Sequence, residues 1–494
     1  MLHLDGQSLT IEILAENVFA NDILLDEDGR ARMAASRALI DKVIADGTPV
    51  YGVTTGLGAR SVEALSHDAL EDFSLQTLRG RAHAIGEDDS PENVRAGLIV
   101  RLNTLLRGHS GARPEVADHI AACLNAGLSP VVGKLGSIGV ADLVINATAG
   151  LALAGEGKIQ AGDEIGDAGD MMRAVGIEPL KLAPRDGLAL ASHSGAVAGT
   201  AALAFSAAQN ALFSAQSAAA LSLEAFRANL SPLDPRALAI KPLPGQQLAA
   251  DDLVRRLEGS RLFQPGEARR LQDPLSFRNI PQIHGGVFLA LSKARTVIEI
   301  EMNSSSDNPV AIFEAGEILS CGNYMTIELG LVCEWVNRAI VLLASAQVAR
   351  ITKLMDPRLS DLPLSLAKQA TNSNGLGPLA KPAEAILNEI SQVAQSSPVW
   401  PGASALGIED SMTTAPVAVR SLSKIADLLN YLTAIELLVA VQAIELRDRE
   451  GALGSQLADC AKTLRSLSAP MTEDRALSDD IKRVSQAISR GDFS

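Results

Sequence analysis

The chain has 494 residues, 47% of them hydrophobic and 20% charged, and 43 Lys and Arg against 58 Asp and Glu leave a net charge of −15. That balance excludes wholesale disorder and supplies enough apolar material for a large core. It gives no electrostatic basis for binding nucleic acid or an anionic membrane, and an aromatic content of 3% removes stacking platforms for bases.

Residues 1 to about 185 mix short apolar runs with turn signals at Gly52, Gly56 and Gly58, then Gly108–Gly111, then Gly133–Gly139. This texture predicts shorter helices joined by loops, and loops on a rigid scaffold are where chemistry is usually displayed. From 186 to about 450 the apolar residues recur at three- and four-residue spacing. Long helices are predicted near 196–229, 282–302, 326–355, 379–395 and 413–448. Asp307-Asn308-Pro309 and Asp356-Pro357 punctuate their ends. The polar tail, 451–494, reads as a helical cap. No alternating strand pattern is longer than about five residues, so the predicted fold is all-α with a central bundle of long helices.

Gly187–Leu223 contains no Asp, Glu, Lys or Arg, but its Ala, Ser and Gly content suits close helix packing better than a bilayer span. The N-terminus lacks a basic segment followed by an apolar one, so no signal peptide is expected. Cys123, Cys321, Cys333 and Cys460 are scattered without a CxxC pair or histidines at ligand spacing. They read as reduced thiols of a cytoplasmic protein, with no metal site.

Two loops stand out. Tyr51-Gly-Val-Thr-Thr-Gly-Leu-Gly58 is glycine-rich but lacks the lysine and spacing of a phosphate cradle. Gly136-Ser-Ile-Gly139-Val-Ala-Asp142 is a tight turn opening a helix. With Arg81-Ala-His83, Gly108-His-Ser-Gly-Ala-Arg-Pro-Glu115, Gln272-Asp-Pro-Leu-Ser-Phe-Arg278, Asn303-Ser-Ser-Ser-Asp-Asn-Pro309, Gly322-Asn-Tyr324 and Glu409-Asp410, these blocks run in one order along the chain. In that order they resemble the histidine/phenylalanine ammonia-lyase family over nearly the whole length. The resemblance implies an all-α homotetramer whose active sites are built from loops of several subunits.

Lyases of that family form an electrophile, methylideneimidazolone, by cyclising an Ala-Ser-Gly tripeptide after the glycine turn. Here Gly139 is followed by Val140-Ala141-Asp142, one residue short and without the serine or the glycine. No such group, and no other cofactor, is therefore expected. A quaternary nitrogen has no lone pair to attack an electrophile, and a neutral trialkylamine leaves without one. The resemblance is nearest to the family's electrophile-lacking lyase of ergothioneine, which implies elimination of trimethylamine to leave thiourocanate. A histidine or indole betaine as substrate, or an inactive metabolite-binding protein, are the alternatives.

The resemblance also implies roles. Tyr51 matches the family's base for the β-proton, a role for which a phenol needs a nearby cation or helix N-terminus. Arg278 matches the arginine holding the substrate carboxylate, with a structural salt bridge as the alternative; Asn308 either assists it or caps the chain within Asp307-Asn308-Pro309. Glu409 matches the glutamate that meets an imidazole ring. Lys381 stands in place of a glutamine and would donate to the thione sulfur, unless it simply pairs with Glu409. His83 matches an active-site histidine, though it could equally be a packing residue. Ser192 replaces an asparagine, Leu275 a tyrosine and Tyr324 a phenylalanine. Tyr324, with Tyr51, could face the trimethylammonium by cation–π attraction. His193 is an extra polar contact, and Trp400 reads as core packing or as a third aromatic face.

Overall fold

Residues 1–368, 372–396, 399, 402 and 404–494 are described by the computed structural model, without the side chains of residues 67–69 and 71. Trp400 lies outside the described residues. The long helices fall at Gly195–Phe226, Ile280–Met302, Ile327–Leu354, Ala380–Val393 and Ala415–Leu446, each within about three residues of its expected ends. Their apolar periodicity is a local signal, which is why the ends were legible. The short elements were not. Among the described residues every strand is three or four residues long. Leu128–Pro130, for instance, pairs antiparallel with Lys158–Ala161, which continues into a hairpin with Glu164–Asp167.

Two compact units are built from discontinuous stretches of chain: Met1–Ser206, Arg295–Cys333 and Ser397–Arg420 form the first, and Ala207–Ala294, Glu334–Ser396 and Ser421–Ser494 the second. In the first, the helix Pro91–Leu105 is buried from Arg95 to Leu105. Ser90 caps its N-terminus by accepting from Asn93 N, and Pro91 takes the first position, where a missing N–H costs nothing. It crosses the start of Gly195–Phe226 at two glycines. A Cβ on Gly199 would lie 2.5 Å from Ala96 C, and one on Gly97 3.0 Å from Ala196 Cα, so only glycine permits this backbone approach. The small residues of Gly187–Leu223 thus act as expected in this crossing. The apolar stretches Asp186–Phe226 and Ala415–Leu446 are long enough to cross a bilayer, yet in each 83% of the most apolar window is buried inside the fold.

In the second unit a polar cluster sits among the helices. Arg350 forks onto Glu436 (Nε to Oε1 2.6 Å, Nη2 to Oε2 3.1 Å), both side chains are fully buried, and Ser222 Oγ donates to Glu436 Oε1 at 2.8 Å. Arg350 Nη1 also donates to Ser276 O at 3.2 Å, tying down the short helix Leu275–Arg278. Phe277, on that helix, stacks on Phe226 with ring centroids 4.2 Å apart. None of the four cysteines is joined in a disulfide.

Candidate active site

A cleft of about 290 Å³ opens within the first unit, bounded by the Tyr51 loop, the Val140–Ala141 turn, the end of the helix Asp186–Ala191 and the loops carrying Asn308, Tyr324 and Glu409. Five of the expected residues line it: Tyr51, Ser192, Asn308, Tyr324 and Glu409. Their approach depends on local geometry that can be traced residue by residue.

The Tyr51 loop closes on Val50 O, which accepts from the N–H groups of Val53, Thr54 and Thr55. Gly52, at φ 63°, sits in the left-handed region that side chains rarely adopt, and a Cβ there would lie 2.4 Å from Leu188 Cδ2, which would have to move. Tyr51 Oη accepts from Gly58 N at 3.2 Å, at the first residue of a short 3₁₀ turn. The fully buried Arg185 guanidinium interacts with this tyrosine electrostatically, a minor effect beside that of Asp307.

Arg185 and Arg101 organise the Asn308 loop. Arg101 forks onto Asp307 (2.9 and 3.0 Å) with both side chains fully buried. Arg185 donates to Ser110 O at 2.6 Å and Pro309 O at 2.8 Å, and lies 3.7 Å from Asp307. Burial pushes the Asp307 carboxyl up, but Arg101 and Arg185 outweigh it and hold the group below the usual carboxylate range. Burial likewise pulls the Arg185 guanidinium down to about 10. On this base Asn308 Oδ1 accepts from Cys321 N at 3.0 Å and Ser320 Oγ at 3.3 Å, so its Nδ2 is the end left to donate into the cleft.

The turn in the place of the missing tripeptide is held by an ordinary peptide network. Ala141 N donates to Tyr324 O at 3.1 Å, and Thr326 Oγ1 donates to Gly139 O at 3.0 Å, so the Tyr324 loop is stitched to it on both sides. Ala141 and Asp142 sit at positive φ (59° and 46°), costly for residues with a side chain. The Asp142 carboxyl ties the turn to its surroundings: it accepts from Ser137 Oγ and, through Oδ2, from Val197 N at 3.0 Å, in the first turn of Gly195–Phe226. Burial raises its pKa to about 6. Nearby, burial raises Glu301 to about 7, with the Asp142 and Glu328 charges adding, although Ser194 Oγ donates to it at 2.9 Å. Without a serine hydroxyl to lose and a glycine nitrogen to close the ring, these residues do not fit a methylideneimidazolone.

Tyr324's phenol is pushed up by burial, with smaller effects from Tyr51, Cys321 and Glu409. Two phenols and a carboxylate thus face one space. Glu409 is itself placed by a backbone bond from its N to Ser404 O at 3.2 Å.

The remaining expected residues are placed differently. His193 is buried with both ring nitrogens engaged: Nδ1 accepts from Gly195 N (3.1 Å) and Nε2 is 3.2 Å from Leu190 O. It is a satisfied core histidine, held neutral by burial and by the charge of Arg101, and no contact of the cleft. His83 is exposed and outside the cleft lining; the turn after the helix His67–Arg79 presents Arg81 there instead. The Arg81-Ala-His83 block carried the signal, but residues two apart in a turn point different ways. Arg278 and Lys381 belong to the second unit. Arg278 ends the helix Leu275–Arg278 and donates to Gln272 Oε1 at 2.6 Å; Lys381 is exposed in the first turn of Ala380–Val393. Among the described residues no group of three His, Cys, Asp or Glu is arranged to hold a metal.

An all-α scaffold of long helices displaying tyrosine, asparagine and glutamate on loops is the layout of a carbon–nitrogen lyase, and the chain belongs to the aromatic amino acid lyase family, which matches residues 9–466. It is 33% identical to the histidine ammonia-lyase of Symbiobacterium thermophilum over 99% of this chain and 96% of that protein. It is also 33% identical to that of Geobacillus thermodenitrificans over 98% and 96%. Among solved structures it is similar to the ergothioneine-degrading enzyme ergothionase from Treponema denticola, in complex with desmethyl-ergothioneine sulfonic acid (TM-score 0.93, 28% identity, 100% of this chain and 99% of that one). Histidine ammonia-lyase from Trypanosoma cruzi is comparable (TM-score 0.92, 29% identity, 100% and 94%).

Proposed function

We propose that the protein eliminates trimethylamine from a trimethylammonium betaine, with ergothioneine as substrate and thiourocanate as product, and does so without a methylideneimidazolone. The observation that carries this reading is the turn Gly139–Asp142. The family's names for its sequence relatives favour histidine deamination, but that chemistry needs an electrophile these residues cannot form. A betaine needs none. Tyr51 takes the β-proton, the C–H electrons form the new double bond, and the C–N pair leaves with neutral trimethylamine.

Glu409 accepts the ring N–H of the thioimidazole, and Lys381 donates to its sulfur as negative charge develops there, an interaction that acts mainly in the transition state. Arg278 holds the carboxylate, assisted by Asn308. Tyr324 and Tyr51 offer faces to the quaternary ammonium. The enzyme works as a cytoplasmic homotetramer with sites shared between subunits, which is how Arg278 and Lys381 reach a cleft. The helix Ile327–Leu354 supports this, since it exposes Ile327, Leu331, Trp335 and Leu342 at spacings that place them along one face.

The test is to incubate the purified protein with ergothioneine, histidine betaine and L-histidine, measuring trimethylamine, ammonia and the absorbance of the conjugated acid. Trimethylamine from ergothioneine, undiminished by borohydride or cyanide, is expected. Ammonia from histidine would refute the argument from the missing electrophile. Release only from another betaine would move the ring assignment, and silence on every betaine would leave a metabolite-binding protein.

A further inference from the structure

Arg81 is the sole arginine or lysine lining the cleft among the described residues, and Glu409 the sole carboxylate. It lies two residues beyond the helix His67–Arg79, and its backbone N–H donates to Leu78 O, so its main chain continues the helix end. Its side chain is half-buried, and among the described residues it makes one long hydrogen bond, from Nη1 to Thr77 O at 3.4 Å. No carboxylate among them pairs with it.

This sets it apart from the two buried arginines that hold the Asn308 loop. Arg101 and Arg185 spend their donors on Asp307 and on backbone carbonyls. A half-buried guanidinium with one long intramolecular bond has donors left to offer the cleft, and a carboxylate fills such a fork bidentately. The wall around it is rich in donors that suit the same guest: Ser61, Ser192 and the Asn308 amide.

We infer that Arg81 grips the carboxylate of the ligand from the first unit's side of the site, a specificity-determining contact separate from Arg278. The inference rests on the lyase reading above in taking the guest to be an unsaturated or amino acid. The fixed charges then match a zwitterion, one cation for the carboxylate and one carboxylate for the positive or N–H-bearing part. A neutral-ended ligand of the same shape gains nothing from Arg81.

The experiment compares paired probes differing only in that terminus: thiourocanate, urocanate and cinnamate, each against its primary amide, titrated calorimetrically into wild type, Arg81→Gln and Arg81→Lys. Wild type should prefer each acid it binds over the matching amide. In Arg81→Gln the acids should weaken about ten- to a hundred-fold, the range for hydrogen bonds to a charged group, while the amides change less than about threefold. Arg81→Lys, which keeps the charge but not the fork, should recover part of the preference. Equal weakening of acid and amide would mark a structural residue, and an unchanged preference in Arg81→Gln would remove the contact; either overturns the inference. So would indifference of the wild type to charge in every pair. A wild type that prefers cinnamate over its amide while ignoring thiourocanate upholds Arg81 and removes the ergothioneine reading, so the two failures are distinguishable.

Discussion

Asparagine at position 142 separates charge from shape in the turn that stands at the place of the family's tripeptide. Asp142 is fully buried, and burial raises its pKa from 3.8 to about 6, despite the bonds from Ser137 and Val197 N that favour the ionised form. The folded state therefore prefers the protonated carboxyl. Above pH 6 the ionised group costs stability, and the cost fades as pH falls from about 6 to 3.8, where both folded and unfolded chains are protonated. A rise of that size corresponds to roughly 3 kcal/mol, lessened by about 1 kcal/mol because a neutral amide accepts more weakly than a carboxylate. Asp142→Asn should thus be more stable than wild type by about 2 kcal/mol at pH 7.5, a few degrees in Tm for a chain of this length. The advantage should shrink to nothing by pH 4.5. Glu301 is raised to about 7 by burial and in smaller part by the Asp142 charge, so losing that charge adds to the gain in the variant above pH 7. Melting curves of both proteins from pH 4.5 to 8 make the measurement. A difference independent of pH, or a wild type more stable at pH 7.5, would refute the account of this turn as a buried carboxylate held at an electrostatic cost.

Three other outcomes follow from the same structure. Tyr51→Phe removes the proposed base and one acceptor for Gly58 N, so trimethylamine release should fall about 10²- to 10⁴-fold while Tm drops by no more than about 1 kcal/mol equivalent, read by steady-state assay and thermal scan. Asp307→Asn leaves Arg101 buried without its counter-ion and should cost about 3–5 kcal/mol in denaturant unfolding, far more than the paired double substitution Arg101→Met with Asp307→Leu. Glu409→Gln and Lys381→Met should each lower kcat strongly with the oligomer unchanged by light scattering. Full turnover in both would remove them from the site.

The amino-acid sequence by itself determined where the long helices run, that the scaffold is all-α, and that the turn after Gly139 lacks the serine and glycine of the family's tripeptide. Each is a local property: periodicity within one segment, or the presence of a hydroxyl and an unhindered nitrogen at fixed positions. The same local matching brought Tyr51, Ser192, Asn308, Tyr324 and Glu409 to one cleft. His193 is used up by its own chain neighbours, Leu190 O and Gly195 N, whereas tertiary structure alone decided which side of a turn faces that cleft, choosing Arg81 over His83. It also made Asp142 a capping carboxylate with a raised pKa, and assembled each compact unit from three separated stretches of chain. Burial and field at a group depend on what packs against it from elsewhere in the chain, and no window of sequence around the group contains those atoms.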